Sequence, residues 1–204
     1  MIAVVDYRAG NLTSVCKALH ALGAEPLVTA DPAALRDAEK IILPGVGHFV
    51  ATERLFQSGM AAAIRQRVAD GALFLGICVG LQWIFSGSTE APAAHGLEIF
   101  PEICERFPGS IKCPHVGWNS LDIVRPSRLL RGLPPSPYVY FTHSYRAPKI
   151  NATVATTNYA GDFSSVVEEG NWMAVQFHPE KSGPTGLKIL QNFLDLPIPE
   201  LSAC

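Results

Sequence analysis

Apolar and polar positions follow two rhythms along this chain, and at one point the first passes into the second with no linker between them. Ile2 to Val5 is a short β-rich run closed by Asp6. Leu12, Val15, Leu19 and Leu22 then recur at helical spacing until Gly23 stops them. Pro26-Leu27-Val28-Thr29 reads as a second strand, and Asp31-Pro32 as a helix N-cap followed by proline at the first helical position. Lys40-Ile41-Ile42-Leu43 is a third strand, and helical patterns cover Ala51 to Gln57 and Ala61 to Ala69. The run Leu73 to Trp83 begins as a buried strand and becomes a helix that the pattern carries to Phe85, with Cys78 at the join.

Alternating strands and helices predict right-handed crossovers and an α/β fold with a mainly parallel central sheet and helices on both faces. Ligands then belong at the carboxyl ends of the strands. After Phe85 the texture becomes β-rich. A loop over Ser86 to Gly96 precedes strand-like runs around Ile103 to Phe107, Leu121 to Val124, Tyr138 to Phe141 and Val154 to Thr157. Ser165 to Glu169, Gly170-Asn171 and Trp172 to Phe177 read as a hairpin with a glycine turn. A last helix from Pro184 or Thr185 to Leu194 leads into a proline-rich tail.

Composition narrows the class. A chain of 204 residues fits one domain, 1–204, and is long enough to bury a core. The net charge of −2, with 17% charged residues, leaves no basic stripe for nucleic acid or an anionic membrane. Gly71 to Thr89 is uncharged and as long as a membrane span, but its internal glycines, Gln82 and its change of periodicity read against one. The five cysteines, Cys16, Cys78, Cys104, Cys113 and Cys204, are odd in number and contain no C-x-x-C pair. They suggest neither a disulfide framework nor a zinc cluster, and they point to a reducing, cytoplasmic setting. His20, His48, His95 and His115 show no ligand spacing, so no metal is expected. The N-terminus lacks a basic leader and reads as a strand.

Two stretches carry chemistry. Gly76-x-Cys78-x-Gly80 has the glycine spacing of a nucleophile elbow, in which a tight strand-to-helix turn exposes the middle side chain. A helix N-terminus there favours thiolate over thiol. Free cysteine also fills cores, so the elbow needs a histidine and a carboxylate to serve it. His178-Pro179-Glu180, at the end of the hairpin's second strand, supplies both. In extended geometry positions i and i+2 face the same side, which sets Glu180 beside the His178 imidazole. Gly45-Val46-Gly47, after the third strand, can turn backbone N–H groups toward a ligand or serve as an ordinary turn.

Gly76-Ile77-Cys78-Val79-Gly80-Leu81-Gln82 together with Phe177-His178-Pro179-Glu180 resembles the class I (triad) glutamine amidotransferases. Five further stretches extend the resemblance over nearly the whole chain: Asp6 to Leu12, Pro44 to Gly47, Pro114 to Asn119, Phe141 to Tyr145, and Lys181-Ser182. Together they are most similar to the branch formed by the glutaminase subunits of imidazole glycerol phosphate synthases. Arg8 stands where many members have glycine, and Val79 where leucine is usual.

The resemblance implies hydrolysis of L-glutamine through a cysteinyl thioester. The ammonia passes to a (β/α)8-barrel cyclase subunit in a heterodimer of the histidine pathway, with no cofactor. It assigns catalysis to Cys78, His178 and Glu180, and backbone oxyanion donors to Val79 and to Val46 or Gly47. Substrate contacts fall to Gln82, to Glu90 through the α-amino group, and to the backbone of Ser144 and Tyr145. Trp118, Asn119, His143, Tyr145 and Lys181 are the candidates for the subunit interface. Glutaminases serving other acceptors, a stand-alone γ-glutamyl hydrolase and a non-catalytic subunit are the rival readings.

Overall fold

The computed structural model describes residues 1–198, so the end of the proline-rich tail and Cys204 lie outside the described residues. The first half runs β1 (Ile2–Val5), α1 (Leu12–Ala21), β2 (Leu27–Thr29), β3 (Lys40–Gly45), α2 (Glu53–Gln57), α3 (Met60–Ala69), β4 (Leu73–Cys78) and α4 (Val79–Trp83). The second half is almost all strand: β5 (Phe85–Ser88), β6 (Phe100–Arg106), β7 (His115–Ser120), β8 (Asp122–Ile123), β9 (Tyr138–His143), β10 (Tyr145–Arg146), β11 (Thr153–Asn158), β12 (Asp162–Glu169) and β13 (Trp172–Val175). Helix α5 (Gly183–Asp195) closes it.

Eight strands form the main sheet in the order β2-β1-β3-β4-β13-β12-β11-β8. Neighbours from β2 to β13 are parallel, and those from β13 to β8 antiparallel. Every residue of β4 is buried, as a parallel strand covered on both faces must be. Four of the helices fall into two groups by their principal contacts. Helices α1 and α5 pack on the 3-10 turn Pro179–Lys181, while α2 and α3 pack on each other and α3 on the turn Pro32–Leu35.

Register decides where the site lies. In β3, Gly45 is the partner of Cys78, and in β13, Val175 is the partner of Ile77. Cys78 therefore stands at the carboxyl end of the central strand, between the chain leaving β3 and the chain leaving β13. Loops at that edge converge on it.

Several local expectations change. The helix after Cys78 ends at Trp83, and Phe85–Ser88 is a strand, because Phe85 and Gly87 pair with Phe100 and Ile103 in a second, three-stranded sheet. The uncharged stretch Gly71 to Thr89 is thus strand, helix and strand. Among the described residues no helix is long and apolar enough to cross a membrane. Asp31 caps Ala33 as predicted, but the helix it opens is a single 3-10 turn. The hairpin's second strand stops at Val175, which leaves Gln176 to His178 as connecting chain. Pro114 to Asn119, read only as a motif, supplies most of β7, which pairs with β9 in a two-stranded sheet.

Candidate active site

Cys78 has φ 55° and ψ −104°, a left-handed conformation that costs energy in any residue with a Cβ. Close packing holds it there. A Cβ on Gly76 would lie 2.4 Å from the carbonyl oxygen of Gly80, one on Gly80 would lie 2.1 Å from that of Leu43, and one on Gly45 would lie 2.6 Å from the Val79 Cβ. Only glycine lets β3, β4 and α4 approach so closely. Helix α4 has five residues, so its dipole is short and the sulfur depends on neighbouring side chains.

His178 and Glu180 are those neighbours' core. The imidazole Nδ1–H donates to Glu180 Oε1 at 2.8 Å, and both side chains are about 1% exposed. This bond selects the tautomer that leaves Nε2 free for proton transfer, and Nε2 has no hydrogen-bond partner among the described residues. Burial disfavours the imidazolium, but the Cys78 sulfur, together with the Glu180 carboxylate, outweighs it and raises the His178 pKa to about 10. An imidazolium beside the sulfur at neutral pH is the result. Glu180 reaches the ring by a route the extended-chain argument did not foresee, since His178 is extended but Pro179–Lys181 turns as a 3-10 helix. The segment is fixed to β9: the His178 N–H donates to the Tyr140 carbonyl, and Ser182 Oγ accepts from the Tyr140 N–H and donates to the His178 carbonyl.

Beside the sulfur lies a cavity of about 250 Å³, of the scale of one small metabolite. Val46, Gly47, Val79, Gln82, Glu90, Ser144 and Tyr145 line it with Cys78, which places every predicted oxyanion and substrate residue on its wall. Gly47, at φ 95°, lies in the left-handed region. The Ser144 carbonyl accepts from the Phe107 N–H and that of Tyr145 from Gln82 and from His143 Nδ1, so their carbonyls are already engaged.

The five interface candidates separate, Tyr145 being the one already placed on the cavity wall. Trp118 is 55% exposed and Lys181 is exposed, whereas Asn119 is half-buried, with its amide directed at the Asn158 carbonyl and the His115 ring. His143 is a correction. It faces inward with Val139 and Phe141, because strand side chains alternate, and only 6% of it is exposed. Its ring bonds His115 at 3.1 Å and the Tyr145 carbonyl at 2.8 Å, so it is a fixed part of the cavity lining and not of the outer surface. Burial lowers the His115 pKa to about 4 and the His143 pKa to about 3.

Two residues near the sulfur escaped the sequence reading. The Thr142 carbonyl lies 4.0 Å from Cys78 Sγ, and Gln176 Nε2 lies 3.6 Å from it. Gln176 did leave a signal: it is the one polar residue in the apolar run Trp172 to Phe177.

Comparison with known proteins bears directly on this geometry. Residues 3–196 match the family model "Glutamine amidotransferase class-I". The chain belongs to the class I glutamine amidotransferases. It is 44% identical to the imidazole glycerol phosphate synthase subunit HisH of Methanothermobacter thermautotrophicus, over 96% of this chain and 98% of that protein. To the subunit of the same name from Moorella thermoacetica it is 46% identical, over 96% and 94%. Among solved structures, a glutamine amidotransferase superposes with a TM-score of 0.76 at 20% identity, covering 96% of this chain and 98% of that one. PurLQS from Thermotoga maritima superposes at 0.74 and 21%, covering 95% and 97%. At those identities the likeness is one of fold, and it agrees with the α/β architecture described above.

Proposed function

We propose that this class I glutamine amidotransferase is the glutaminase subunit of an imidazole glycerol phosphate synthase, acting in histidine biosynthesis in the cytoplasm as a single domain. It hydrolyses L-glutamine and passes ammonia to a cyclase subunit. One observation supports the chemistry: Cys78, at the end of β4 on the wall of a cavity of metabolite size, favours the charged form of His178, which follows the adjacent parallel strand β13 and is paired with Glu180. The choice of acceptor rests on the similarity to HisH subunits over nearly the full chain.

The Cys78 thiolate attacks the side-chain carbonyl carbon of glutamine, and the tetrahedral oxyanion is met by the Val79 N–H and by an N–H of the Gly45-Val46-Gly47 loop. His178 gives its Nε2 proton to the departing nitrogen, and ammonia leaves. The same nitrogen, now neutral, takes a proton from water as it attacks the γ-glutamyl thioester, which releases glutamate and restores the ion pair. Gln82 has both amide hydrogens engaged, toward the Tyr145 carbonyl and Gln176 Oε1, so toward substrate it presents its oxygen as an acceptor.

Cyclase docking fits the outer face of the β7–β9 sheet. Val116, Trp118 and Tyr138 are 55%, 55% and 60% exposed there, and in the pairing Val116 is opposite Thr142 on the cavity wall. A partner covering that face also covers the cavity edge, which keeps ammonia from water. Each oxyanion donor contributes on the order of 3 kcal/mol. A glycine loop that aims its N–H only in the assembled, nucleotide-bound complex therefore sets the glutaminase rate. Glutamate release by the chain alone should be slow and should rise at least about a hundredfold with the cyclase subunit and its nucleotide. A rate unchanged by the partner would favour a stand-alone hydrolase.

A further inference from the structure

We propose that Gln176 is a catalytic residue of this site, an N–H donor to the Cys78 sulfur that favours its thiolate; the proposal rests on Cys78 being the nucleophile. Gln176 is completely buried, so water cannot satisfy its amide, and each polar atom must find a partner inside the protein. It is the first residue beyond β13, and its own N–H donates to the Ser165 carbonyl at 2.9 Å, which anchors its backbone.

The amide's orientation is set by its neighbours. Gln82 Nε2 lies 3.0 Å from the Tyr145 carbonyl, an acceptor only, so that end of Gln82 is its nitrogen. The Gln176 atom 3.4 Å from this nitrogen must accept, and is therefore Oε1. The remaining end, 3.6 Å from Cys78 Sγ, is Nε2. Turning the amide over would set two donors face to face in a buried space and bring an oxygen against the sulfur.

The sulfur accordingly has opposed neighbours. The Thr142 carbonyl at 4.0 Å welcomes an S–H and repels a thiolate, whereas the Gln176 N–H favours the anion. Removing the amide leaves the carbonyl's preference unopposed on that side. His178 supplies the counter-charge, and Gln176 supplies a fixed, uncharged donor that stays in place after His178 has given up its proton. Through Gln82 the same chain of bonds reaches Tyr145 on the cavity wall, so nucleophile and substrate wall share one buried strut.

The test measures alkylation of Cys78 by iodoacetamide as a function of pH, read by mass spectrometry of the peptide that carries it, in the full chain and in Gln176→Met, which keeps the volume and removes the amide. Gln176→Asn, whose shorter side chain withdraws the N–H, is the second variant should Met disturb folding. Expected is an upward shift of the inflection by about one pH unit and a rate at neutral pH lower by about tenfold. In the complex with the cyclase, kcat should fall by a similar factor while KM stays close to the parent's. A role in packing alone would lower thermal stability and leave the inflection where it was; a parent-like profile in either folded variant overturns the proposal. Absence of labelling at Cys78 in the unsubstituted chain would instead sink the reading of Cys78 as nucleophile.

Discussion

Glu90 accepts a hydrogen bond from the backbone N–H of Phe49 at 2.7 Å, across 41 positions of chain. The bond fastens the wall of the substrate cavity to the segment just beyond the Gly45-Val46-Gly47 loop. With the proposed role in binding glutamine, Glu90 has two duties, one to substrate and one to the loop. Glu90→Gln retains an oxygen for Phe49 but removes the charge that an α-ammonium group needs, so KM for glutamine should rise about tenfold with kcat little changed. Glu90→Ala loses both, and kcat should fall as well. Steady-state kinetics of both variants with the cyclase present separate the two duties; equal behaviour would show that the loop bond is idle.

At Gly80, packing leaves no room for a methyl group. A Cβ would stand 2.1 Å from the Leu43 carbonyl oxygen, a backbone atom held in the β3–β4 ladder. Gly80→Ala should cost about 3 kcal/mol or more, visible as a fall of roughly 6–12 °C in Tm, together with loss of glutaminase activity. Gly109, whose added Cβ would meet nothing within 4 Å, is the control, and Gly109→Ala should leave Tm nearly unchanged.

Stability should decline on both sides of neutrality, for opposite reasons. In the unfolded chain histidines take up protons near pH 6.5, whereas buried His115 and His143 decline them until about 4 and about 3. Between those values the unfolded state binds more protons, so stability drops as pH falls below about 6.5. His178 is the reverse. Its folded pKa of about 10 gives a contribution fully present below the unfolded value and lost as pH rises through about 10. Thermal melts from pH 5 to 10 should trace a dome. In NMR titrations the His115 and His143 ring signals should stay in their neutral positions down to pH 5.

Trp118 is exposed and rests against Tyr140 edge to face, with ring centroids 6.1 Å apart. Trp118→Ala should change the stability of the lone chain by about 0.5 kcal/mol or less. Affinity for the cyclase subunit should fall by about 2 kcal/mol, roughly thirtyfold, in a calorimetric titration. Unchanged affinity would move the docking face elsewhere.

Much of the fold is legible along the chain because it depends on neighbours in sequence. The strand-to-helix join at Cys78, the helix stop at Gly23 and the cap at Asp31 are local events, set by glycine, side-chain oxygens and periodicity. Phe85–Ser88 does not read as a strand because its partner, Phe100–Arg106, lies beyond a connecting segment, and an apolar run does not announce which strand will pair with it. His143 is misplaced by the sequence for a similar reason. A histidine in a polar-looking motif gives no sign of its face until the pairing of β7 with β9 fixes the alternation.

Sequence alone supplied the groups proposed to react, Cys78, His178 and Glu180, and the glycines that let one of them stand in a tight turn, since residue type and spacing carry that chemistry. Tertiary structure alone decided what surrounds them. Parallel pairing of β13 with β4 brings Gln176 against the sulfur, and the return of β9 adds Thr142 and closes the cavity. Those contacts join positions 64 and 98 residues apart, and only strand register, a property of the assembled sheet, determines which of them meet.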